Sequence, residues 1–358
     1  MAKVLMKGNE ALGEAAILAG CRYYFGYPIT PQSELPAYLA KRLPQVDGVF
    51  VQAESEVAAI NMVYGAASAG ARVMTSSSSP GISLKQEGIS YIAGAELPCL
   101  IVNVMRGGPG LGNINPSQSD YWQATRGGGH GDYRTLVMAP NSVQEMADFT
   151  LAAFEYADRF RNPVLMLSDG VLGQMMEPVV MPAPKDYDMD SKKWSLGYTG
   201  KDKTARNLCT SIFMGQEELE EHNWSLYQKY QVITDFFKAN KDLAVEEYLC
   251  DDAEVVLVGY GIISRILKTV VEKCRKRGIK AGLVRPKVLW PFPSDVFAKL
   301  ADKASKFLVV EMSYGQMVED VKLAVEGKKP VYFFGRTGGA VPSDFEILNE
   351  VDKIVRPD

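Results

Sequence analysis

Short apolar runs that alternate with longer helical periodicities constrain this chain more than any other feature. The pattern is that of a parallel α/β sheet, whose strands are buried on both faces and whose crossovers are helices. In the first half the runs predict strands over 23–26, 49–53, 72–76, 99–105, 136–139 and 164–168, with helices between them. Ser142 and Glu145 have capping-box spacing ahead of one helix, and Gly70 stands as a stop after another. From Met181 the alternation breaks. MPAPKDYDMDSKKWSLGYTGKDK is polar and rich in turn formers, whereas EELEEHNWSLYQKYQVITDFFK reads as one amphipathic helix. The alternation then resumes with strands over 255–258, 281–284, 307–311 and 331–334. Helices are expected over 263–277, 317–325 and 343–354, the last opened by Ser343 and Glu346 in capping-box spacing. A chain of 358 residues exceeds one ordinary core. The expected division is an α/β domain over 1–185, a connecting segment with one long helix over 186–252, and a second α/β domain over 253–358.

Composition narrows the class. Hydrophobic residues at 47% and charged residues at 23% suit a soluble globular protein, and a formal net charge of −4 gives no reason to expect nucleic acid or an anionic membrane as partner. The five cysteines (Cys21, Cys99, Cys209, Cys250, Cys274) show no CxxC spacing, so structural thiols in a reducing compartment are expected. The start MAKVLMKGNEALGEAAILAG has glycine and acid inside its apolar part, unlike a signal peptide, and no apolar run reaches membrane-spanning length. A cytoplasmic location is the expectation.

Four loop segments at strand ends carry the candidate chemistry, since α/β proteins bind ligands beyond the carboxyl ends of their strands. In YPITPQSE, Thr30 is expected at a helix N-cap with Pro31 at the first helical position. Thr30 either only caps that helix or also offers its hydroxyl to an anion, with Tyr27 and Pro28 beside it. In VQAESEVAAI the residues three, four, seven and eleven positions after Glu56 are Ala59, Ile60, Val63 and Ala67, all apolar. Glu54 leads a less continuous face. Glu56 is therefore the carboxylate expected to be buried, where it either complements the helix dipole or exchanges a proton near neutrality. In MRGGPGLGN, Arg106 is an anion-binding candidate, and Gly107 and Gly108 let backbone approach a ligand. SSSSPG, with Ser78 inside it, is either a polar turn or a set of hydroxyl and N–H donors. His130 lies in the glycine loop GGGHGD, which could close over a pocket; His222 reads as a solvated helix position, and the two offer no metal pair. VGYGIIS approaches a dinucleotide fingerprint, but Arg285 stands where that fingerprint needs an acid.

YPITP, the ESE helix start, SSSSPG and RGGPG, in this order, resemble the alpha subunit of the 2-oxoacid:ferredoxin oxidoreductases, over nearly the whole chain. GNINPSQSDYWQATRGGGHGDYR resembles the 2-oxoisovalerate (branched-chain) type. The resemblance implies a pyrimidine-type thiamin-diphosphate-binding fold domain followed by a transketolase C-terminal-like α/β domain. It implies that Glu56 hydrogen-bonds the aminopyrimidine ring nitrogen of thiamin diphosphate, and that Thr30 and Arg106 hold the 2-oxo and carboxylate groups of the substrate. It further implies oxidative decarboxylation of a branched-chain 2-oxoacid to the acyl-CoA, with coenzyme A as co-substrate and electrons passed to ferredoxin. LSDG lacks the first glycine of the GDG segment that holds Mg²⁺ and the diphosphate, and no CxxCxxCxxxC cluster binder is present. The diphosphate and Mg²⁺ are thus expected on a beta subunit, with no metal or iron-sulfur cluster on this chain, and with gamma and ferredoxin-like delta subunits completing the complex. Residues 107–119 contain no lysine, which favours an uncharged branched substrate, while Arg126, Arg134 and His130 keep 2-oxoglutarate as the alternative. A nicotinamide-dependent dehydrogenase using VGYGIIS and a non-catalytic scaffold subunit are the rival readings from other classes.

Overall fold

A computed structural model describes residues 3–185, 187, 188, 191–196, 198 and 207–355; the expected turn-rich connection after Met181 therefore lies partly outside the described residues. The chain begins with β1 (Lys3–Lys7), α1 (Gly8–Leu18), β2 (Tyr23–Gly26), α2 (Glu34–Arg42), β3 (Val49–Gln52) and α3 (Glu56–Ser68). It continues with β4 (Val73–Ser77), α4 (Ser79–Gly94), β5 (Leu100–Met105), α5 (Tyr121–Arg126) and β6 (Leu136–Met138). Then come α6 (Val143–Phe160), β7 (Val164–Asp169), α7 (Gly170–Gln174) and β8 (Met176–Val180). The long helix α8 (Gln216–Ala239) and the short α9 (Lys241–Ala244) lead to β9 (Val245–Tyr248), β10 (Val255–Val258) and α10 (Gly261–Lys276). The remainder is β11 (Ala281–Pro286), β12 (Val288–Trp290), α11 (Ser294–Leu300), β13 (Lys306–Glu311), α12 (Met317–Val325), β14 (Val331–Gly335) and α13 (Asp344–Val355).

Two sheets organise these elements. The first has seven strands in the order β12-β6-β7-β5-β4-β2-β3, parallel except for β12, which runs antiparallel to β6. The second has five strands in the order β14-β13-β10-β11-β9, parallel except for β9. Every residue of β4 and β5 is buried, as covering both faces with helices requires. On one side Ile60 and Val63 of α3 meet Ile82 and Ile89 of α4 over Ile101; on the other, Met146 and Phe154 of α6 cover Met166 and Val102. α8 buries Leu226, Tyr230, Ile233 and Phe237, a four-residue and three-residue spacing that lays one stripe on the first domain.

The described strands coincide with the runs read from sequence to within two residues, with four additions; the short helices α9 and α11 are also not among the expected elements. β1 pairs antiparallel with β8, far along the chain, and each strand is only five residues long. β9 and β12 are shorter still, and both join a sheet by antiparallel edge pairing that no local pattern announces. One cap differs from expectation. Ser142 accepts from the Glu145 N–H at 3.1 Å, but the Glu145 carboxylate reaches past the cap to the Asn141 N–H (2.9 Å) and pairs with Arg285, so the box is not closed on Ser142 itself. At Ser343 the box is closed in both directions, by Glu346 Oε2 on the Ser343 N–H (2.9 Å) and Ser343 Oγ on the Glu346 N–H (3.2 Å). Among the described residues no helix is long and apolar enough to cross a membrane.

The domains are joined by polar contacts. Tyr121 Oη and the Arg126 guanidinium both donate to the Asp320 carboxylate, and Gln118 donates to the Tyr260 carbonyl at 2.9 Å while accepting from the Met312 N–H at 3.1 Å.

Candidate active site

The carboxyl ends of β2, β3, β4 and β5 open on one side of the sheet, and the loops leaving them carry Thr30, Glu56, Ser78 and Arg106. Glu56 is the first residue of α3, whose N-cap Ser55 accepts from the Ala58 N–H at 3.2 Å. It is 6% exposed, whereas Glu54 faces solvent, as the face count expects. Its carboxylate lies against the first turn of α4. A Cβ at position 81 would come within 2.7 Å of Glu56 Oε1 and 2.0 Å of Ser77 Oγ, so Gly81 makes the approach possible.

Arg106 leaves the end of β5 and is clamped by backbone. Nη1 donates to the Thr30 carbonyl and Nη2 to the Leu111 carbonyl, each at 3.0 Å, while the buried Nε has no partner. The Arg106 N–H donates to Ser79 Oγ at 3.0 Å, and that hydroxyl donates to Asp120 Oδ2 at 2.6 Å. Burial raises the Asp120 carboxyl, and the hydrogen bonds from Ser79 and Asn103 pull it back down.

The structure thus brings Thr30 and Arg106 together, and Ser78 sits buried beside them ahead of α4. Thr30 is not a helix cap: α2 begins at Glu34 with Ser33 before it, because a separate turn closes first, from the Gln32 N–H to the Ile29 carbonyl. Tyr27 and Pro28 are exposed on the same loop. Gly107 is buried where a Cβ would meet Asn113 Oδ1 at 2.7 Å and the Gly339 nitrogen at 3.2 Å; Gly108 is exposed with open space around it. His130 stands apart from this group. It is exposed and meets the Tyr91 ring edge-on at 6.5 Å, twelve residues along α4 from Ser79, about 18 Å at the helical rise.

A cavity of about 510 Å³ lies over Arg106. The first domain lines it with Ser79, Gly107 and Asp120, and the second with Met312, Tyr314, Gln316 and Gly338. Three buried polar atoms in this region, Ser77 Oγ, Ser78 Oγ and Arg106 Nε, have no protein partner. Leaving each unmet costs about 1–3 kcal/mol, so their clustering fits a polar ligand. Among the described residues no group of three or more His, Cys, Asp or Glu side chains could hold a metal ion. The residues present fit a polar ligand held by hydrogen bonds and by the Arg106 guanidinium.

Comparison with known proteins fits this geometry. Residues 14–243 match the family model described as pyruvate flavodoxin/ferredoxin oxidoreductase, thiamine diP-bdg, and residues 253–347 match pyruvate:ferredoxin oxidoreductase core domain II. The chain belongs to the 2-oxoacid:ferredoxin oxidoreductase family. It is 52% identical over 354 residues to ketoisovalerate oxidoreductase subunit VorB of Methanothermobacter thermautotrophicus, covering 99% of this chain and 98% of that one. It is 39% identical over 334 residues to 2-oxoglutarate synthase subunit KorA of Archaeoglobus fulgidus, covering 92% and 94%. Among solved structures, the 2-oxoglutarate:ferredoxin oxidoreductase from Magnetococcus marinus superposes with a TM-score of 0.86 at 27% identity, covering 99% of this chain; this chain spans 66% of that longer one. A split-gene transketolase superposes at 0.60 with 14% identity, covering 97% of each chain, which is a likeness of fold alone. The architecture is accordingly a thiamine-diphosphate-binding domain followed by core domain II, in an alpha-type subunit of an oxidoreductase complex.

Two segments of this 2-oxoacid:ferredoxin oxidoreductase subunit acquire structural roles. In VGYGIIS, Gly261 has φ +55°, and a Cβ there would lie 3.3 Å from Gln118 Nε2 and 3.6 Å from Asp169 Oδ2. The turn at Gly261 thus packs against Gln118 and Asp169 of the first domain. Arg285 is fully buried and spends both terminal nitrogens on Glu145, at 2.6 and 2.7 Å, with Nε 2.9 Å from Glu246. In LSDG, Asp169 caps α7 through the Val171 and Leu172 N–H groups, and burial pushes its carboxyl up to about 6.

Sequence reasoning missed Lys85 and Asp120. Lys85 is wholly buried on α4, donating to Thr75 Oγ1 and to the Ser76 carbonyl at 3.2 Å. It stands three residues after Ile82 and four before Ile89, a lone charge in an apolar stripe. The count that picked out Glu56 would have found it. Asp120 had no local signal, because its partners Ser79 and Asn103 come from two other elements.

Proposed function

We propose that this chain is the alpha subunit of a thiamin diphosphate-dependent oxidoreductase that converts a branched-chain 2-oxoacid of the 2-oxoisovalerate class to its acyl-CoA, passing electrons to ferredoxin. The observation that carries this reading is a buried Glu56 at a helix N-terminus, pressed on Gly81, next to a cavity whose one lining cation, among the described residues, is Arg106. The cofactor, when bound, supplies a nucleophilic carbon and an electron sink for loss of the carboxylate. Glu56 holds a proton at its carboxyl oxygen toward the aminopyrimidine ring nitrogen. The unpartnered Nε of Arg106 faces the substrate carboxylate, and the Thr30 hydroxyl steadies the 2-oxo group. The second domain closes the cavity and excludes water, which strengthens each of these contacts.

In this reading the division into residues 1–185, 186–252 and 253–358 separates a cofactor domain, a connector and a closing domain. The diphosphate, Mg²⁺ and iron-sulfur clusters belong to other chains of the complex, a beta subunit above all, with gamma and delta subunits, and the assembly works in the cytoplasm. A branched apolar substrate is favoured over 2-oxoglutarate by the state of the candidate second cations. Arg126 is paired with Asp320, Arg134 donates to the Arg126 and Tyr133 carbonyls, and His130 lies at Tyr91. The 52% identity to a ketoisovalerate subunit supports the same choice. The packing of Gly261 on Gln118 and Asp169 and the engagement of Arg285 with Glu145 and Glu246 argue against a nicotinamide enzyme, and the unmatched polar atoms against a scaffold.

The test is turnover by the chain alone and by the complex assembled with its partner subunits, using 2-oxoisovalerate and 2-oxoglutarate with ferredoxin as acceptor. The complex is expected to prefer 2-oxoisovalerate and the chain alone to be inactive. Turnover by the isolated chain, or preference for 2-oxoglutarate, overturns the proposal.

A further inference from the structure

Lys85 has no part in the reaction as described, yet nothing in its surroundings is accidental. It lies one helical turn after Gly81 on the same face of α4, and Gly81 is where the Glu56 carboxylate rests. The Thr75 hydroxyl donates to the Phe25 carbonyl at 2.6 Å, which leaves its lone pairs for Lys85 Nζ. With the Ser76 carbonyl as second acceptor, two of the three ammonium protons are placed, and the third has no protein acceptor among the described residues. Glu56 in turn accepts no hydrogen bond among the described residues.

The other ionisable groups near this pair are engaged elsewhere: at the start of α4 Asp120 accepts from Ser79 Oγ, Arg106 after β5 donates to the Thr30 and Leu111 carbonyls, and Tyr24 of β2 shares a hydrogen bond with Ser76 Oγ. β4 (VMTSS) and β5 (LIVNVM) carry no ionisable side chain, and the other ionisable group on α3, Tyr64, is engaged with the Cys209 carbonyl. On α4, Glu87 is exposed and accepts from Tyr91. Glu56 is thus the charged group that acts on Lys85. Burial pushes the ammonium down to about 7, and Glu56 pulls it back up.

We propose that Lys85 is a positioning residue for Glu56: its ammonium, anchored on Thr75 and Ser76, seats the side chain against Gly81 and stabilises the carboxylate that forms when the acid gives up its proton. This rests on the reading of Glu56 as the acid that faces the cofactor ring. When Glu56 gives its proton to the ring nitrogen, the carboxylate left behind is stabilised by the Lys85 ammonium. No other proton moves.

The experiment is an infrared titration of the Glu56 carboxyl in the assembled complex prepared without thiamin diphosphate, with the Glu56→Gln complex subtracted to isolate its band. In Lys85→Met the Glu56 midpoint is expected to rise by about one pH unit or more, a tenfold gain in proton affinity. Lys85→Gln, which keeps a neutral donor for Thr75, moves it in the same direction and decides the matter if the methionine variant does not assemble. The acid limb of the kcat profile shifts upward with it. A midpoint unmoved or lowered in either assembled variant overturns the proposal. Full turnover by Glu56→Gln would instead overturn the functional reading, whatever the titration shows.

Discussion

Arg106 Nη1 donates to the Thr30 carbonyl at 3.0 Å, while Nε of the same guanidinium is buried without a partner. The loop after β2 therefore orients the cation that ends β5, and Nε remains for a ligand with the second N–H of each terminal nitrogen. An arginine held on two sides by backbone loses little freedom on binding, and a lysine would present neither the clamp nor the directed N–H.

Arg106→Lys is expected to raise KM for the 2-oxoacid about 10- to 100-fold, the range for loss of one charge-assisted hydrogen bond, with kcat changed less. Steady-state kinetics of the assembled complex check this. An unchanged KM would separate Arg106 from the substrate.

Glu56→Gln keeps the shape of the side chain at Gly81 and removes its acid. A fall in kcat of about 10²-fold or more is expected, as for loss of a positioned proton-transfer group, with assembly intact. Gel filtration and turnover measured on the same sample decide between a chemical role and a structural one.

Asp169 couples stability to pH. Its carboxyl is raised to about 6 in the folded chain against 3.8 for the free group, so the folded state binds the proton more tightly than the unfolded one. The ionised form is the destabilising one, and its cost is absent below about pH 4, grows from there to about pH 6, and then levels. Asp169→Asn keeps a capping oxygen without the charge. Its stability relative to wild type is expected to improve by up to about 3 kcal/mol across that window, as read from denaturant unfolding.

Arg285→Met should destabilise the chain by about 3 kcal/mol, because it strands Glu145 and Glu246 beside a buried site. The low end of the range is expected, since both carboxylates keep some solvent contact. Thermal unfolding of the variant checks the loss, and kcat at a temperature where it is folded should match wild type.

The sheet order was not readable from sequence, but the strands themselves largely were, because β4 and β5 are buried on both faces and appear as unbroken apolar runs. Counting one helix face was enough to separate Glu56 from Glu54. The same reasoning failed at Thr30, where capping chemistry matched but a tertiary partner, Arg106, engages the carbonyl and a separate turn intervenes before α2. It was not carried to α4, where the same count isolates Lys85 between Ile82 and Ile89. β12 was out of reach for a different reason: three residues carry no period, and their pairing with β6 is set by distance along the chain.

That pairing has a mechanical consequence. β12 comes from the second half of the sequence yet completes the first sheet, and Lys287 just before it accepts from the Ala139 N–H and donates to the Ala244 carbonyl. The two halves are stitched together at this point, not strung on a tether, so they cannot swing apart as a jaw does. The short segment around Thr337 and Gly338 lines the cavity over Arg106, and the Gly338 carbonyl accepts from Asn113 Nδ2 at 2.9 Å. A chain severed after residue 252 would lose more than a domain: it would bare the outer edge of β6 and leave a sheet prone to recruit a strand from its neighbours.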